Sequence, residues 1–437
     1  MDLTLKLASL LLSSGIFYVA YVVRRVSGTW LTPAGIWCVG WFLLTFIPMV
    51  VVLSAPVNPL AILYILVMSI VFSVPVFGTK WRDIKYAVDL GKSSFDNAFL
   101  RIFFYIFAVS SLVSLAINLS IQGVTISSLF SNFFETSSAL IVDRYNQSTV
   151  ENVFAQISNI STYVTVVLGG LIFPGYRTFW SKARILLMAM MPSLALMAIA
   201  GAKGTIFLCI ALFYGGILVR RMRAGDNRLL DAKTLSRALL GLLALLPFVT
   251  ISFLSRGLYE DSARLDLSSS LYRNFVSYSS AHIYAFSDWF SWYVGADSEL
   301  FYARDELTGG FFTFMSIFKA LGSTKEAPQG YFDEYFQYSW YLQTNIYTIF
   351  RGLITDFSFA GSFVFMYLVG FFSNSMFLRL ITTRMASWSV AYYVIFCGFV
   401  YTSFLISILV WSSMYPTFAI IGALLLVNNE RFARKAG

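Results

Sequence analysis

The sequence predicts an all-α protein that crosses a membrane many times and forms one integral membrane domain over residues 1–437. The composition and the arrangement of apolar stretches lead to this prediction. Apolar residues make up 58% of the chain, charged residues only 12%, and the mean hydropathy is +0.72. Such a composition leaves too few polar side chains for a water-exposed surface. Long apolar stretches also follow one another along the whole chain, with basic residues between them.

The apolar stretches define the predicted spans. A hydrocarbon core about 30 Å thick requires roughly 20 apolar residues in a helix that crosses it. We therefore expect eleven spans, near residues 3–23, 30–54, 59–77, 102–120, 155–175, 185–200, 205–219, 238–255, 357–378, 386–411 and 415–428. The first span is followed by Arg24 and Arg25 and lacks a small-residue cleavage site, so we expect a retained helix rather than a signal peptide.

Basic residues between the spans predict the orientation. They concentrate in every second connection, and connections rich in lysine and arginine face the cytoplasm. The N-terminus is therefore expected outside and the C-terminus inside. The net charge of +9 reports this topology, and we expect no nucleic-acid partner, which would require a clustered basic face on a soluble surface.

One connection, residues 256–356, is predicted to be a large external loop that holds the functional site. It carries twelve of the 22 acidic residues, and loops of such length are uncommon without a function. Within it, Gly310 to Leu321 and Trp340 to Ile354 are apolar and aromatic with interspersed polar positions. This pattern predicts helices that lie in the membrane interface.

Motifs of several soluble enzyme classes are missing from the sequence. It contains no phosphate-binding P-loop, no dinucleotide-binding glycine pattern, no H-E-x-x-H and no G-x-S-x-G. We therefore expect neither an ATPase, a redox enzyme nor a zinc protease. Cys38, Cys209 and Cys397 each lie inside an apolar stretch, without the spacing of a disulfide framework or a metal site. No metal and no cofactor are expected.

Cationic side chains on the external side are candidate ligands for a lipid diphosphate. The planar fork of arginine matches phosphate oxygens, and a lysine between two short apolar runs is a functional candidate by default. Each cation has a simpler alternative, which is pairing with a nearby carboxylate or extension of a lysine toward the membrane surface. The predicted diphosphate-binding residues are Lys203, Arg256, Arg264, Arg273 and Arg351.

His282 is the only histidine and the first candidate for a general base, because the pKa of imidazole lies near neutral pH. Asp288, Asp356 and Glu260 are rival candidates. Asp356 stands where the chain is predicted to re-enter the membrane, where an unpaired carboxylate is costly. Capping of the following helix is the alternative role for Asp356.

A segment late in the chain resembles a known family. Thr344-Asn345-Ile346-Tyr347-Thr348, followed by Asp356-Phe357 and then Gly361, resembles a signature of the bacterial Wzy proteins, which are polymerases of oligosaccharide (O-antigen) repeat units. Ser358 stands where that signature has glycine. The turn Gly201-Ala202-Lys203-Gly204 and the segment Tyr278 to Phe286 resemble two further parts of the family pattern.

The resemblance implies a GT-C-type glycosyltransferase in the bacterial inner membrane. Such an enzyme transfers a growing glycan from undecaprenyl diphosphate to a new lipid-linked repeat unit, without metal or nucleotide. It implies sugar-binding roles for Asn345 and Tyr347, and loop aromatics such as Tyr284 and Trp289 are candidates for stacking on sugars. Membrane lipid and a chain-length regulator protein are the partners that it suggests.

Three alternatives stay open at the level of sequence. An O-antigen ligase would use the same donor with lipid A core as acceptor. A flippase for lipid-linked oligosaccharides would more naturally show internal repeats and charges in the middle of its spans. A structural membrane protein would not need basic residues at the outer lipid interface. The segment from Asn345 to Asp356 favours the polymerase.

Overall fold

The computed structural model describes residues 3–84, 95, 97–145, 148–253, 267–295, 302, 306–325 and 332–436, most of them helical. The helices are α1 (Leu3–Ser27), α2 (Pro33–Val51), α3 (Pro59–Phe77), α4 (Asn97–Ile121), α5 (Ile126–Ser131), α6 (Phe133–Tyr145), α7 (Val153–Ile172), α8 (Phe179–Ala200), α9 (Lys203–Arg223), α10 (Ala232–Phe253), α11 (Leu267–Tyr293), α12 (Phe311–Ala320), α13 (Thr348–Thr382), α14 (Ser387–Thr402) and α15 (Met414–Ala436). The strands are β1 (Phe336–Tyr338) and β2 (Leu342–Thr344).

Eight helices in the described part of the chain are long and apolar enough to cross a membrane, namely α1 to α4, α7 to α9 and α13. The protein therefore has the architecture of a multi-pass membrane protein. The three other predicted spans correspond to α10, α14 and α15. All three are helical in the structure: α10 has 22 residues and α15 has 23, whereas α14 has only 16.

One compact unit comprises Met1–Ile84, Tyr272–Leu378 and Phe399–Ser412, and α1, α2 and α3 pack together in it. The face that α1 buries includes Ser9, Ser13 and Ala20, and the Ser13 hydroxyl lies 2.5 Å from that of Thr45 in α2. Small residues of this kind let helices approach closely in lipid, where apolar side chains alone give no preference for the protein interior.

The second compact unit comprises Lys85–Leu271, Arg379–Gly398 and Ser413–Gly437, and α7 is its central helix. α7 packs against α4, α8, α9 and α15. A Cβ atom on Gly170 of α7 would lie 2.1 Å from the carbonyl oxygen of Phe213 in α9, and Gly216 faces it from the same helix. The two backbones can approach this closely only because both positions are glycine.

The helix pair α8 and α9 is longer than the sequence predicted. Its helices have 22 and 21 residues, so they are full spans and the predicted bounds 185–200 and 205–219 were too short. The apolar runs are shorter than the helices because polar and basic residues such as Lys182 and Arg220 are helical as well. Gly201 ends α8 in the left-handed conformation, with φ of 62°, and its N–H donates to the carbonyl of Leu196.

The predicted external loop contains a 27-residue helix, α11, that hydropathy did not predict. The reason is its composition, because α11 buries Ser280, His282, Ser287 and Ser291 as well as aromatic residues. The Ser287 hydroxyl accepts the backbone N–H of Asn58 at 2.7 Å, and the Ser291 hydroxyl accepts the Asn58 side-chain amide at 2.8 Å. α11 is thus a packed helix of the first unit rather than part of a solvated loop.

The prediction of two helices later in this connection was half right. Gly310 to Leu321 is helical as α12, whereas Trp340 to Ile354 becomes helical only from Thr348. The residues before it form an antiparallel hairpin in which Phe336 pairs with Thr344, so the fold is not purely α-helical. The turn places Ser339 in the left-handed region with φ of 59°, and the backbone N–H of Gln343 donates to Ser277 of α11.

The last part of the first unit differs from its predicted span. The span predicted over residues 386–411 ends as a helix at Thr402. The hydroxyls of Thr402 and Ser403 donate to the carbonyls of Phe399 and Val400, and Ser407 caps a short 3-10 turn over Ile408–Val410. Local side-chain hydrogen bonds of this kind compete with helix continuation.

Candidate functional site

The structure separates the predicted site residues into three groups. Arg256, Arg264 and Glu260 lie outside the described residues. Lys203 belongs to the second compact unit, where it begins α9 and its Nζ lies 3.9 Å from the ring of Phe253. The first unit contains the others, which are Arg273, His282, Tyr284, Asp288 and Trp289 on α11 and Asn345, Tyr347, Arg351 and Asp356 around the start of α13.

Arg351 lies at the centre of an aromatic enclosure. Its side chain is buried, with 1% of the residue exposed. The guanidinium carbon lies 4.1 Å from the ring centre of Phe332, 4.3 Å from Tyr347, 5.4 Å from Trp289 and 5.5 Å from Tyr302. The faces of aromatic rings attract a cation, most strongly when water is excluded. We call these four rings and the arginine the Arg351 cage.

One carboxylate reaches the cage cation. The Arg351 Nη2 donates to the Glu334 Oε2 at 2.8 Å, and the Glu334 side chain is 30% exposed. Nε and Nη1 of Arg351 are buried and have no hydrogen-bond partner among the described residues. Buried N–H donors are normally paired, and a charged donor that is not carries a large desolvation penalty. The cage therefore presents cationic donors suited to the oxygen atoms of a bound anion or sugar.

A second carboxylate adjoins the cage through Tyr302. The Tyr302 hydroxyl donates to Asp288 Oδ2 at 2.8 Å, and the Tyr302 and Tyr347 rings meet edge to face at 5.9 Å. Burial raises the pKa of Tyr347 to about 12, and burial also raises the pKa of Tyr302, with Tyr347 and Asp288 adding to the effect. Both phenols therefore remain protonated donors at neutral pH. Asp288 is half-buried.

Asn345 and Tyr347 support the cage in different ways. The Asn345 side-chain amide donates to the carbonyl of Phe332 at 3.3 Å, which holds one wall in place. Tyr347 is itself a wall, and its hydroxyl donates to the backbone carbonyl of Glu334 at 3.2 Å. Sequence reasoning had missed Glu334, Phe332 and Tyr302 as site residues. Only folding brings them to Arg351, and no spacing in the sequence signals that contact.

Asp356 caps a helix other than its own. Its carboxylate accepts the backbone N–H of Phe312 at 2.9 Å and of Thr313 at 2.7 Å, together with the hydroxyls of Thr313 at 2.6 Å and of Thr308. These partners include two N–H groups in the first turn of α12, where N–H groups lack the i−4 carbonyl of a full helix. The Thr313 N–H also donates to the Gly310 carbonyl at 3.2 Å. From the sequence, the alternative role of Asp356 was to cap the helix that follows it in the chain. The carboxylate is buried and its oxygens are occupied, so the geometry favours a structural role over that of a base.

His282 is held in one tautomer by a carbonyl of α2 that has no partner within its own helix. Its Nε2 lies 2.9 Å from the carbonyl oxygen of Leu44. That carbonyl lacks its usual helical partner because residue 48 is proline, which has no N–H. Since a carbonyl only accepts, Nε2 carries the proton. Nδ1 is buried and has no partner among the described residues.

Burial lowers the pKa of His282 to about 4, although the bond to Leu44 opposes the shift. The imidazole is therefore neutral and a weak base at pH 7, contrary to the expectation from the ordinary histidine pKa. Because the unfolded state binds the proton more readily, stability is full above the ordinary pKa of 6.5 and falls as the pH approaches 4. We expect His282→Gln to make the unfolding midpoint less sensitive to pH across this window.

Because His282 is the only histidine, no other imidazole contributes to the pH dependence, and the wild type and His282→Gln can be compared directly. Denaturant unfolding of the wild type and His282→Gln at a series of pH values between 4 and 7 gives the two slopes. Equal slopes for the two proteins would show that His282 keeps its ordinary pKa and that the burial argument is wrong.

Tyr284 is not free to stack on a sugar. It is 1% exposed, and its hydroxyl lies within hydrogen-bond distance of Pro48 and Val52 carbonyls and 2.9 Å from Lys6 Nζ. Lys6 itself is 2% exposed and also donates to the carbonyls of Val52 and Ala55. Lys6 was not among the site residues predicted from the sequence. A charged residue inside an apolar stretch is the signal that could have identified it.

Comparison with known proteins identifies no similar protein. No protein-family model, curated protein or solved structure matches the chain. Among the described residues there is also no group of three or more His, Cys, Asp or Glu side chains that could hold a metal ion. The Arg351 cage and the adjoining carboxylates of Glu334 and Asp288 are therefore the candidate site on geometric grounds alone.

Ser358, the position that departs from the Wzy signature, has a backbone conformation typical of glycine. Its φ is 64° and its ψ is −179°, and the helical path of α13 is broken there. A side chain in this region costs on the order of 1–3 kcal/mol. The side chain of Phe357 lies close to Gly361, where an added Cβ would lie 2.7 Å from the Phe357 Cβ. The residue present is serine, whereas the backbone suits glycine.

We expect Ser358→Gly to stabilise the protein by about 1 kcal/mol, because glycine adopts this conformation without steric cost. Thermal unfolding in detergent measures the change as a higher midpoint. Ser375→Gly is the matched control, since Ser375 is a half-buried serine with helical backbone in the same helix and glycine there should lower the midpoint. A midpoint for Ser358→Gly that falls as far as the control would contradict the inferred strain.

Proposed function

We propose that this protein polymerises undecaprenyl-diphosphate-linked oligosaccharide repeat units of a bacterial surface polysaccharide. The observation that carries the proposal is the Arg351 cage, in which a buried cation has donors available beside aromatic faces and two carboxylates. The resemblance of residues 344–361 to the Wzy signature supports it, because that segment supplies Tyr347 and Arg351 to the cage.

The cage has the chemical groups that the transfer needs. Aromatic faces stack on sugar rings, and arginine binds and stabilises a diphosphate whose negative charge grows as it departs. The half-buried carboxylate of Asp288, which adjoins the cage through Tyr302, can accept the proton of the acceptor hydroxyl. We assign the anion to the open donors of Arg351 and the role of base to Asp288, ahead of His282 and Asp356.

The proposed reaction is a single displacement with inversion. The acceptor hydroxyl oxygen attacks the anomeric carbon of the donor glycan and forms the new glycosidic bond, while Asp288 takes up the hydroxyl proton. The bond between the anomeric carbon and the diphosphate oxygen breaks, and its electron pair stays with the diphosphate beside Arg351. The donor is already activated, so no nucleotide is consumed.

The same proposal includes the location. The enzyme would lie in the bacterial inner membrane as a GT-C-type glycosyltransferase with eleven spans, its N-terminus in the periplasm and its C-terminus in the cytoplasm. The alternation of basic connections along the sequence supports this orientation. Arg351 and Asp288 would then face the periplasm, where lipid-linked repeat units are delivered, and a chain-length regulator would be a partner.

The deciding experiment is elongation by the purified protein in nanodiscs. The substrate is the host's undecaprenyl-diphosphate-linked repeat unit, without nucleotide, and the readout is a ladder of lengthened lipid-linked glycan on a gel. A ladder supports the polymerase. If the protein instead passes the glycan to lipid A core, it is a ligase, and if it only moves the lipid across a vesicle bilayer, it is a flippase. Either result overturns the proposal.

We expect Asp288→Asn to slow elongation roughly 100-fold, because an amide cannot accept the proton of the attacking hydroxyl. Glu306→Gln is the matched control, since Glu306 is an exposed carboxylate of the same unit outside the cage and its replacement should leave the rate unchanged. Initial rates of ladder formation measure both. A normal rate for a folded Asp288→Asn variant would remove Asp288 from the mechanism.

A further inference from the structure

Four basic residues gather at one end of the second compact unit, where α4 begins and the chain turns from α7 into α8. They are Arg101, Arg177, Lys182 and Arg184, and we call them the basic cluster. The Arg101 guanidinium lies 5.5 Å from the ring of Tyr176, and the Arg184 guanidinium lies 6.0 Å from that of Tyr105. Nζ of Lys182 lies 5.5 Å from the ring of Phe173.

These contacts place Arg101, Lys182 and Arg184 on one patch, and Arg177 directly follows Tyr176 in the chain. Tyr105 stands one helical turn after Arg101 in α4, and Phe173 and Tyr176 belong to the same tight turn. α4 also packs against α7 and α8. Three separate segments of the chain therefore bring positive charge to a common surface, which distinguishes this cluster from basic residues that simply follow one another in a single helix.

The positive charge of the patch is not balanced locally. α4, the turn over Phe173–Gly175 and α8 contain no acidic residue, and none of the four cations forms an ion pair within the described part of the chain. Asp96, directly before α4, lies outside that part. On the neighbouring α15, Arg431 lies 5.0 Å from the ring of Phe99 and Glu430 precedes it, so that helix adds one charge of each sign.

Exposed apolar side chains show where the patch meets the bilayer. Phe179 and Trp180 at the start of α8 are 75% and 80% exposed, and large aromatic residues concentrate where the bilayer meets water. Further along the two helices, Ile106 of α4 and Leu187 of α8 are exposed at 53% and 60%. The basic cluster thus lies at headgroup depth, beside apolar surface that suits acyl chains.

We propose that the basic cluster is a binding site for an anionic phospholipid, with its phosphate held by Arg101, Lys182 and Arg184 and its acyl chains along α4 and α8. Arginine and lysine side chains that converge between membrane helices suit phosphate headgroups, and a lipid with two phosphates, such as cardiolipin, matches the number of cations best. This site is independent of the Arg351 cage and of the proposed polymerase activity.

The test uses native mass spectrometry of the full-length protein released from detergent, titrated with cardiolipin or with a zwitterionic phospholipid. The variant Arg101→Gln/Lys182→Gln/Arg184→Gln removes three charges of the cluster. The control Arg24→Gln/Arg25→Gln/Arg82→Gln removes three basic charges from the first unit, where Arg24 and Arg25 also lie over aromatic rings. We expect the first variant to bind cardiolipin at least 10-fold more weakly than the wild type and the control to differ less than 2-fold.

Two results would overturn the proposal. Equal losses in the two triple variants would show that cardiolipin senses only the overall positive charge, and unchanged binding in the cluster variant would show that its cations do not hold the phosphate. Thermal unfolding in zwitterionic lipid checks that each variant is folded. If the triple variant does not fold, Lys182→Gln and Arg184→Gln alone should each weaken cardiolipin binding about threefold, whereas no change in both rejects the site.

Discussion

Arg351→Ala is expected to reduce glycan elongation roughly 1000-fold, which is the size of effect seen when a preorganised group that stabilises developing negative charge is removed. Arg351 is buried, and two of its nitrogens have no partner among the described residues, so its donors are already in place for an anion. In the proposed reaction, little reorganisation is then needed when the diphosphate departs. Initial rates of ladder formation, wild type against variant, measure the effect.

Arg351→Lys separates charge from geometry in the same assay. Lysine keeps the positive charge but lacks the planar fork, so we expect a smaller loss, of roughly 10- to 100-fold. Because Arg351 also pairs with Glu334, Glu334→Gln controls for loss of the ion pair alone. Thermal unfolding shows whether each variant is folded. Full elongation by a folded Arg351→Ala variant would exclude the cage from the reaction.

Asp356→Ala is expected to destabilise the protein by roughly 3–5 kcal/mol. The substitution leaves the backbone N–H of Phe312 and two threonine hydroxyls without their acceptor, and the Thr313 N–H keeps only its 3.2 Å bond to the Gly310 carbonyl. Each unpaired buried donor costs about 1–3 kcal/mol. The cap also places a negative charge at the N-terminus of α12, where it is favourable. Denaturant unfolding in mixed micelles measures the change.

Thr313→Val is the matched control for this prediction. It removes one of the four hydrogen bonds to Asp356 and keeps the shape of the side chain, so we expect a loss of about 1 kcal/mol. A general base at position 356 would give the opposite pattern from Asp356→Ala, with activity lost and the unfolding midpoint unchanged. That outcome would restore Asp356 as a candidate for catalysis.

Asp288 and Asp356 show which properties of the site could be predicted from the sequence and which could not. Both were predicted as rival bases on residue type and position. The structure places Asp288 half-buried beside Tyr302 and the cage, whereas Asp356 is buried with its oxygens occupied by α12. Hydrogen-bond partners that lie 43 or more residues away in sequence leave no local pattern, so sequence could not separate the two roles.

Among the predicted aromatic and basic site residues, some line the Arg351 cage and others do not. Trp289 and Tyr347 were predicted to face a ligand and do line the Arg351 cage, but Tyr284 is enclosed by Lys6 and α2 carbonyls. Arg351 stood among five predicted diphosphate ligands without distinction. Its burial depends in part on α11, which contributes Trp289 to the cage. The serines and the single histidine of α11 lower its hydropathy, so the sequence did not predict this helix.

By itself the sequence determined that this chain lies in a membrane and where most of its helices run. Insertion into a membrane depends on apolar composition summed over a local window, and helices α1 to α4 and α7 to α9 follow the predicted apolar runs. Tertiary structure alone decided which polar groups are satisfied and which remain open. In an apolar setting that difference arises from contacts between distant segments, and within the first unit it leaves two nitrogens of Arg351 without a partner among the described residues.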